Sequence, residues 1–64
     1  MTPETIDSIQ ATINDHNDGR GWDIENKAHG LHMLLCDLIE YADAMHFDFD
    51  IAVEQARETL RECA

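Results

Sequence analysis

Residues 31–45, LHMLLCDLIEYADAM, decide the fold that this sequence predicts. The apolar residues of this stretch recur at steps of three and four, and a helix would gather them on one stripe. The stripe consists of Leu31, Leu34, Leu35, Leu38, Ala42 and Met45. At about 100° per residue, Asp37, Glu40 and Asp43 fall on roughly the opposite side of the same helix. We therefore predict an amphipathic helix with one apolar face and one acidic face.

A first helix is predicted before this stretch. Thr2 is a favourable N-cap residue, and Pro3 suits the first helical position, where a missing N–H costs nothing. Gly19 is free to adopt the left-handed conformation that closes a helix. We predict this helix over residues 3–17, followed by a loop in which Trp22 turns back onto the core.

The central helix is predicted over residues 24–46, with Asp23 or Asn26 as its N-cap. Gly30 lies inside it and costs about 1 kcal/mol relative to Ala. Either the ordered helix begins later, or another backbone approaches closely at this position. Asp48 is the expected N-cap of a third helix. The sequence thus predicts an all-α fold, a small antiparallel three-helix bundle.

The chain of 64 residues is expected to form one domain, residues 1–64. A chain this short buries only about 60% of the surface that its unfolded form exposes, so we expect a thin core. Ten apolar residues at helical spacing are expected to be buried together in it: Ile6, Ile9, Ile13, Leu31, Leu34, Leu35, Leu38, Phe49, Val53 and Leu60.

The charge of the chain is strongly negative. Fourteen Asp and Glu residues and four Lys and Arg residues give a formal net charge of -10. Direct binding to nucleic acid or to an anionic membrane needs a basic surface, so the sequence argues against both. No Lys or Arg lies between Lys27 and Arg57, and the acids of this interval are the expected partner-binding residues: Asp37, Glu40, Asp43, Asp48, Asp50 and Glu54. The alternative is that these acids only keep a small domain soluble.

The two cysteines, Cys36 and Cys63, lie within helical patterns rather than in a framework of spaced cysteines. We therefore expect free thiols in a reducing compartment. No stretch has the features of a signal peptide, and no apolar run reaches the roughly 18 to 20 residues that span a bilayer. The expected location is the cytoplasm.

A second seam runs along the central helix, where His29, His32, Cys36, Ile39 and Asp43 recur at steps of three and four. Side chains of this kind bind metals, but a closed tetrahedral site usually draws on two elements, so no metal is assigned. Ile39 is apolar in the middle of the seam. We predict a self-association surface of His32, Cys36 and Ile39, and a possible homodimer; the alternative is a set of polar residues without a shared role.

An ordered series of residue types runs through the middle of the chain. Its members are Asp37, Tyr41, Asp48, Ala52 and Val53. In this series the chain resembles the MazG-like all-α nucleotide pyrophosphohydrolases. Residues 20–22, Arg-Gly-Trp, are also similar to that family's entry into its first long helix, so the resemblance covers residues 20–53.

The resemblance implies Mg²⁺-dependent hydrolysis of nucleoside triphosphates, with the metal held by carboxylates from two helices in the motifs EExxE and ExxD. Asp37 would be the last acid of ExxD. The positions before it carry Met33, Leu34 and Leu35, and no EExxE occurs in the chain. The family reading therefore implies a degenerate enzyme or one completed by a second chain, and Mg²⁺ is expected only in that case.

Our first expectation is a small acidic interaction protein rather than an enzyme, with no cofactor. Carboxylates along a helix face present a line of negative charge that suits the positive surface of a larger basic protein, such as nucleic-acid-binding machinery. The chain would regulate or inhibit that partner by occupying its positive surface, as phage-encoded inhibitors do. The alternatives are the pyrophosphohydrolase and a plain structural three-helix module.

Overall fold

The structure is a computed structural model that describes residues 1–63. Three helices account for most of them: α1 (Pro3–Arg20), α2 (Lys27–Ala44) and α3 (Phe49–Cys63). Helix α2 packs against both of the others, and no strand occurs in residues 1–63. The predicted all-α three-helix fold is confirmed.

Each helix begins at a side chain that caps it. The caps are Thr2, Asn26 and Asp48, and in each case a side-chain oxygen accepts a hydrogen bond from the backbone N–H three residues later, at 3.2, 2.9 and 3.0 Å. Of the two caps that the sequence left open for α2, Asn26 is the one used. The predicted start at residue 24 is wrong because the backbone of Asn26 is extended, with φ -161°.

Helix α1 continues past its predicted end at residue 17. Gly19 lies within the helix, and Gly21, with φ 74°, takes the left-handed conformation that ends it. The N–H groups of Gly21 and Trp22 donate to the carbonyls of Asp18 and Asn17, at 3.0 and 3.4 Å. These bonds satisfy carbonyls that the last turn of a helix leaves unpaired.

Helix α2 ends by the same device without a glycine. His46 has φ 60°, its N–H donates to the carbonyl of Asp43 at 3.2 Å, and the N–H of Phe47 donates to that of Ala42 at 2.8 Å. The helix therefore ends at Ala44, two residues before its predicted end. His46 then turns the chain toward α3.

Helices α1 and α2 cross at Gly30. The Nδ2 atom of the buried Asn17 donates to the carbonyl of Gly30 at 3.1 Å. A Cβ atom on Gly30 would lie 3.3 Å from Ile13 and 3.4 Å from Asn17. What approaches this glycine closely is thus a pair of side chains of α1, rather than a backbone.

The expected core does not form within the single chain. Ile13 and Ala42 are the buried hydrophobic residues of the described chain, while Leu34, Phe49 and Val53 are half-buried. Six of the ten residues predicted to be buried together are exposed: Ile6, Ile9, Leu31, Leu35, Leu38 and Leu60.

The arrangement of the helices explains this exposure. Within residues 1–63, α1 and α3 both pack against α2 but do not contact each other, so no third helix closes over the apolar stripe. The Cα atoms occupy 35 × 33 × 15 Å, which is a plate about one helix layer thick.

Candidate functional site: an acidic groove between helices α2 and α3

A groove of about 380 Å³ lies where α2 turns into α3. Its lining combines three carboxylates with three apolar side chains: Ile39, Asp43, Phe47, Asp48, Phe49 and Asp50. We call these six residues the acidic groove. It brings together Asp43, Asp48 and Asp50, three of the six predicted partner-binding acids, with Ile39 of the predicted self-association surface.

The end of α2 positions the exposed aromatic ring of the groove. Because His46 has a left-handed backbone conformation, the chain reverses there and Phe47 comes back over the last turns of α2. The ring of Phe47 meets that of Tyr41 edge to face, with centroids 6.2 Å apart. Phe47 is nevertheless 57% exposed, so one side of an anchored ring remains available for contact.

The carboxylates of the groove are placed by the helix termini. Asp48 caps α3 through Oδ1, and Asp50 lies in the first turn of α3, where the helix dipole favours negative charge. Asp43 lies in the last turn of α2, where the dipole disfavours negative charge, and that turn contains no basic residue. Asp43 is therefore the acid of the groove that the local structure does not stabilise.

Asp37 does not lie on an exposed acidic face of α2 with Glu40 and Asp43. Its Oδ2 atom forms a hydrogen bond with His16 Nε2 at 2.8 Å and an ion pair with Arg20 Nε at 3.0 Å, and its side chain is only 15% exposed. Its predicted solvent-facing position beside Glu40 and Asp43 is wrong, because α1 packs on this side of α2 and supplies both partners of the carboxylate. Asp37 joins two helices.

The other predicted partner-binding acids fall into two groups. Glu54 forms an ion pair with Arg61 at 3.5 Å. Four acids are exposed and form no ion pair within the described part of the chain: Glu40, Asp43, Asp48 and Asp50. Apart from Glu40, these unpaired acids are the carboxylates of the groove.

The predicted self-association residues are all exposed on α2, and they differ in their contacts. His32 and Cys36 are exposed, and the ring of His32 lies 6.2 Å from that of His29. Ile39 is 45% exposed and lines the acidic groove. Cys36 and Cys63 are both exposed free thiols.

Residues 1–63 contain neither a cluster of metal-ligating side chains nor a helix that could span a membrane. No three His, Cys, Asp or Glu side chains among them lie together in a way that could hold a metal ion. No helix in the same range combines the length and the apolar composition needed to cross a membrane.

In the sequence analysis Phe49 is assigned to the core and Phe47 is given no role, so the place of both residues in the groove was missed. A usable signal was the alternation Phe-Asp-Phe-Asp over residues 47–50. Residues two apart do not share one face of a helix, so this alternation does not separate apolar from acidic side chains in a helix. It marks a segment in which apolar and acidic groups lie side by side.

Comparison with protein-family models, with curated proteins and with solved structures finds no match to this chain. The resemblance to the MazG-like pyrophosphohydrolases is tested by none of them and stays a prediction. The function is therefore argued from the contacts and charges of the chain itself.

Proposed function

We propose that this protein binds a positively charged surface of a larger partner through the acidic groove. The observation that carries the proposal is the gathering of Asp43, Asp48 and Asp50, none of them in an ion pair within residues 1–63, around the exposed apolar surface of Ile39 and Phe47. Acids kept only for solubility need no such apolar neighbours.

The groove suits an arginine or lysine side chain of the partner. The aliphatic stem of such a residue packs against apolar surface while its charged end stays with polar groups. Ile39 and Phe47 supply the apolar surface, and the carboxylates supply the acceptors for charge-assisted hydrogen bonds. The exposed ring of Phe47 adds a cation–π contact.

The net charge of -10 extends this recognition beyond the groove. A strongly negative surface attracts a positive one from a distance and raises the rate of association. Positive surfaces occur on nucleic-acid-binding proteins, where they neutralise the phosphates of the nucleic acid. By occupying one, the protein would inhibit or regulate the partner.

The test compares two triple variants with the same change in charge. In the groove variant, Asp43, Asp48 and Asp50 are replaced by Asn; Asn is as good an N-cap as Asp, so α3 keeps its cap. In the control, the exposed α1 residues Asp7, Asp15 and Asp18 are replaced by Asn. Binding to the partner, isolated by affinity capture and then purified, is measured by calorimetry for each.

We expect the groove variant to lose at least about tenfold in affinity, or about 1.4 kcal/mol. The control should lose much less, since only the long-range attraction is reduced. Equal losses in both variants would mean that net charge, rather than the groove, determines binding. Far-ultraviolet circular dichroism of both variants should match the wild type.

The pyrophosphohydrolase alternative makes a different prediction, centred on Asp37. It requires Mg²⁺-dependent release of pyrophosphate from a nucleoside triphosphate, abolished by Asp37→Asn. In the chain, the Oδ2 atom of Asp37 is engaged by His16 and Arg20, so a metal would have to compete with two donors for that oxygen. No contact of the described residues favours this alternative over the first proposal.

A further inference from the structure

The folded chain exposes more surface than a compact monomer of its size. Its accessible surface is 5387 Å², whereas a compact monomer of 7.3 kDa exposes about 4,200 Å². Its radius of gyration is 13.4 Å, against about 11 Å for a compact domain of this length. The excess of about 1,200 Å² per chain is surface that a closed core would bury.

Three of the exposed large hydrophobic residues lie on one side of α2. Leu31, Leu35 and Leu38 are 48%, 40% and 40% exposed, and at about 100° per residue they fall within an arc of about 60°. We call these three residues the leucine face. Ile6 and Ile9 of α1, which the sequence pattern also assigns to the core, are exposed as well.

The leucine face carries no charge. On the helical wheel of α2, Glu40 and Asp43 lie more than about 100° from its centre. Asp37 lies on the side that faces α1, where it bonds to His16 and Arg20. Charge complementarity therefore gives a basic partner no reason to bind at this face.

We propose that the leucine faces of two copies of this chain pack against each other to form a homodimer. The excess of about 1,200 Å² belongs to the whole chain, and the leucine face is one part of it. Burial of this excess by each of two chains would remove about 2,400 Å², within the range of obligate homodimer interfaces. A second copy also supplies the apolar surface of matching size that the amphipathic pattern of α2 requires.

The dimer goes beyond the proposed function and does not depend on it. Because Glu40 and Asp43 lie far around α2 from the leucine face, pairing through that face keeps these charges apart. One acidic groove per chain then remains open, and a dimer presents two grooves to a partner. Two linked sites bind a surface with two matching positions more tightly than one site alone.

Sedimentation equilibrium of three proteins tests the interface. The wild type should sediment at twice the mass of one chain at micromolar concentration. Leu35→Glu places a charge in the leucine face and should weaken association at least about tenfold. His32→Glu introduces the same residue at an exposed position on the same helix, outside the leucine face, and should leave the dimer intact.

Two results would overturn the proposal. One is a wild type that stays monomeric up to high micromolar concentration. The other is dissociation by His32→Glu but not by Leu35→Glu, which would place the interface on the seam of His32, Cys36 and Ile39.

A second measurement covers the case in which Leu35→Glu fails to fold. The melting temperature of an obligate dimer rises with protein concentration, because association stabilises the folded state by mass action. We expect this rise for the wild type and a lower melting temperature for the milder variant Leu35→Ala. A wild-type melting temperature that is constant over a hundredfold range of concentration would contradict the dimer, whether or not the acidic groove binds a partner.

Discussion

His46 adopts the same left-handed backbone conformation at the end of α2 that Gly21 adopts at the end of α1, with φ 60° and 74°. Both residues close their helices through the same pair of backbone hydrogen bonds. Glycine does so at no steric cost, whereas a residue with a Cβ atom loses about 1 to 2 kcal/mol. The turn that shapes the acidic groove is therefore the more strained of the two.

Replacing His46 by Gly should raise the free energy of unfolding by about 0.5 to 1 kcal/mol, because it relieves this strain at some cost in chain entropy. Urea denaturation followed by circular dichroism measures the change. The same substitution at His32, inside α2, is the control and should lower stability by a similar amount. A His46→Gly protein less stable than the wild type would show that the imidazole makes a contact worth more than the strain.

Gly30→Leu should destabilise the protein by about 1 to 3 kcal/mol, because the new side chain enters the contact between α1 and α2. Even a Cβ atom would lie 3.3 Å from Ile13 there. Gly19→Leu is the matched control: nothing lies within 4 Å of a Cβ atom on Gly19. It should be neutral or slightly stabilising. Thermal denaturation measures the melting temperature of both variants. Equal losses of melting temperature in the two would argue against a close crossing at Gly30.

Asp37→Asn should lower the free energy of unfolding by about 1 kcal/mol. The substitution removes a partly buried negative charge that contacts both His16 and Arg20 of α1. Glu54→Gln is the control, because the side chains of Glu54 and Arg61 are 67% and 64% exposed. Exposed pairs of this kind contribute little, so no measurable change is expected. A comparable loss in both variants would contradict the assigned role of Asp37.

Added salt should act in opposite directions on the two proposed associations. Binding to a basic partner should weaken between low and physiological ionic strength, because screening reduces the attraction between opposite charges. Dimerisation of chains that each carry a charge of -10 should strengthen over the same range, since screening reduces their repulsion. Over one series of salt concentrations, calorimetry measures partner binding and sedimentation measures dimerisation. Partner binding that is indifferent to salt would contradict an electrostatic groove.

The starts of α1 and α3 were predictable because capping is local chemistry. Thr2 and Asp48 each bond to a backbone N–H three residues away, so the relevant atoms lie within one short stretch of sequence. The helix ends were harder to place. Gly19 and Gly21 are equally able to adopt positive φ, and His46 does so without being a glycine. Local propensity does not choose between such neighbours.

The errors at the core and at Asp37 have one origin. Periodicity shows which residues of α2 share a face, but it does not show which element packs on that face. The two donors that bind Asp37 come from residues 16 and 20 of α1, and the cover expected over Leu35 and Leu38 is absent from the described chain. Three of the six acids predicted to bind a partner line the groove, and they stand out in the sequence because no Lys or Arg lies near them.

The guanidinium of Arg20 lies 4.7 Å from the ring centre of Trp22, the only tryptophan of the chain, and the same side chain bonds to Asp37. The environment of the indole thus depends on whether α1 is docked on α2. Tyr41, the only tyrosine, lies instead against Phe47 at the junction with α3. Each helix junction therefore has its own intrinsic fluorophore, and selective excitation of the indole can follow the opening of one junction without a label.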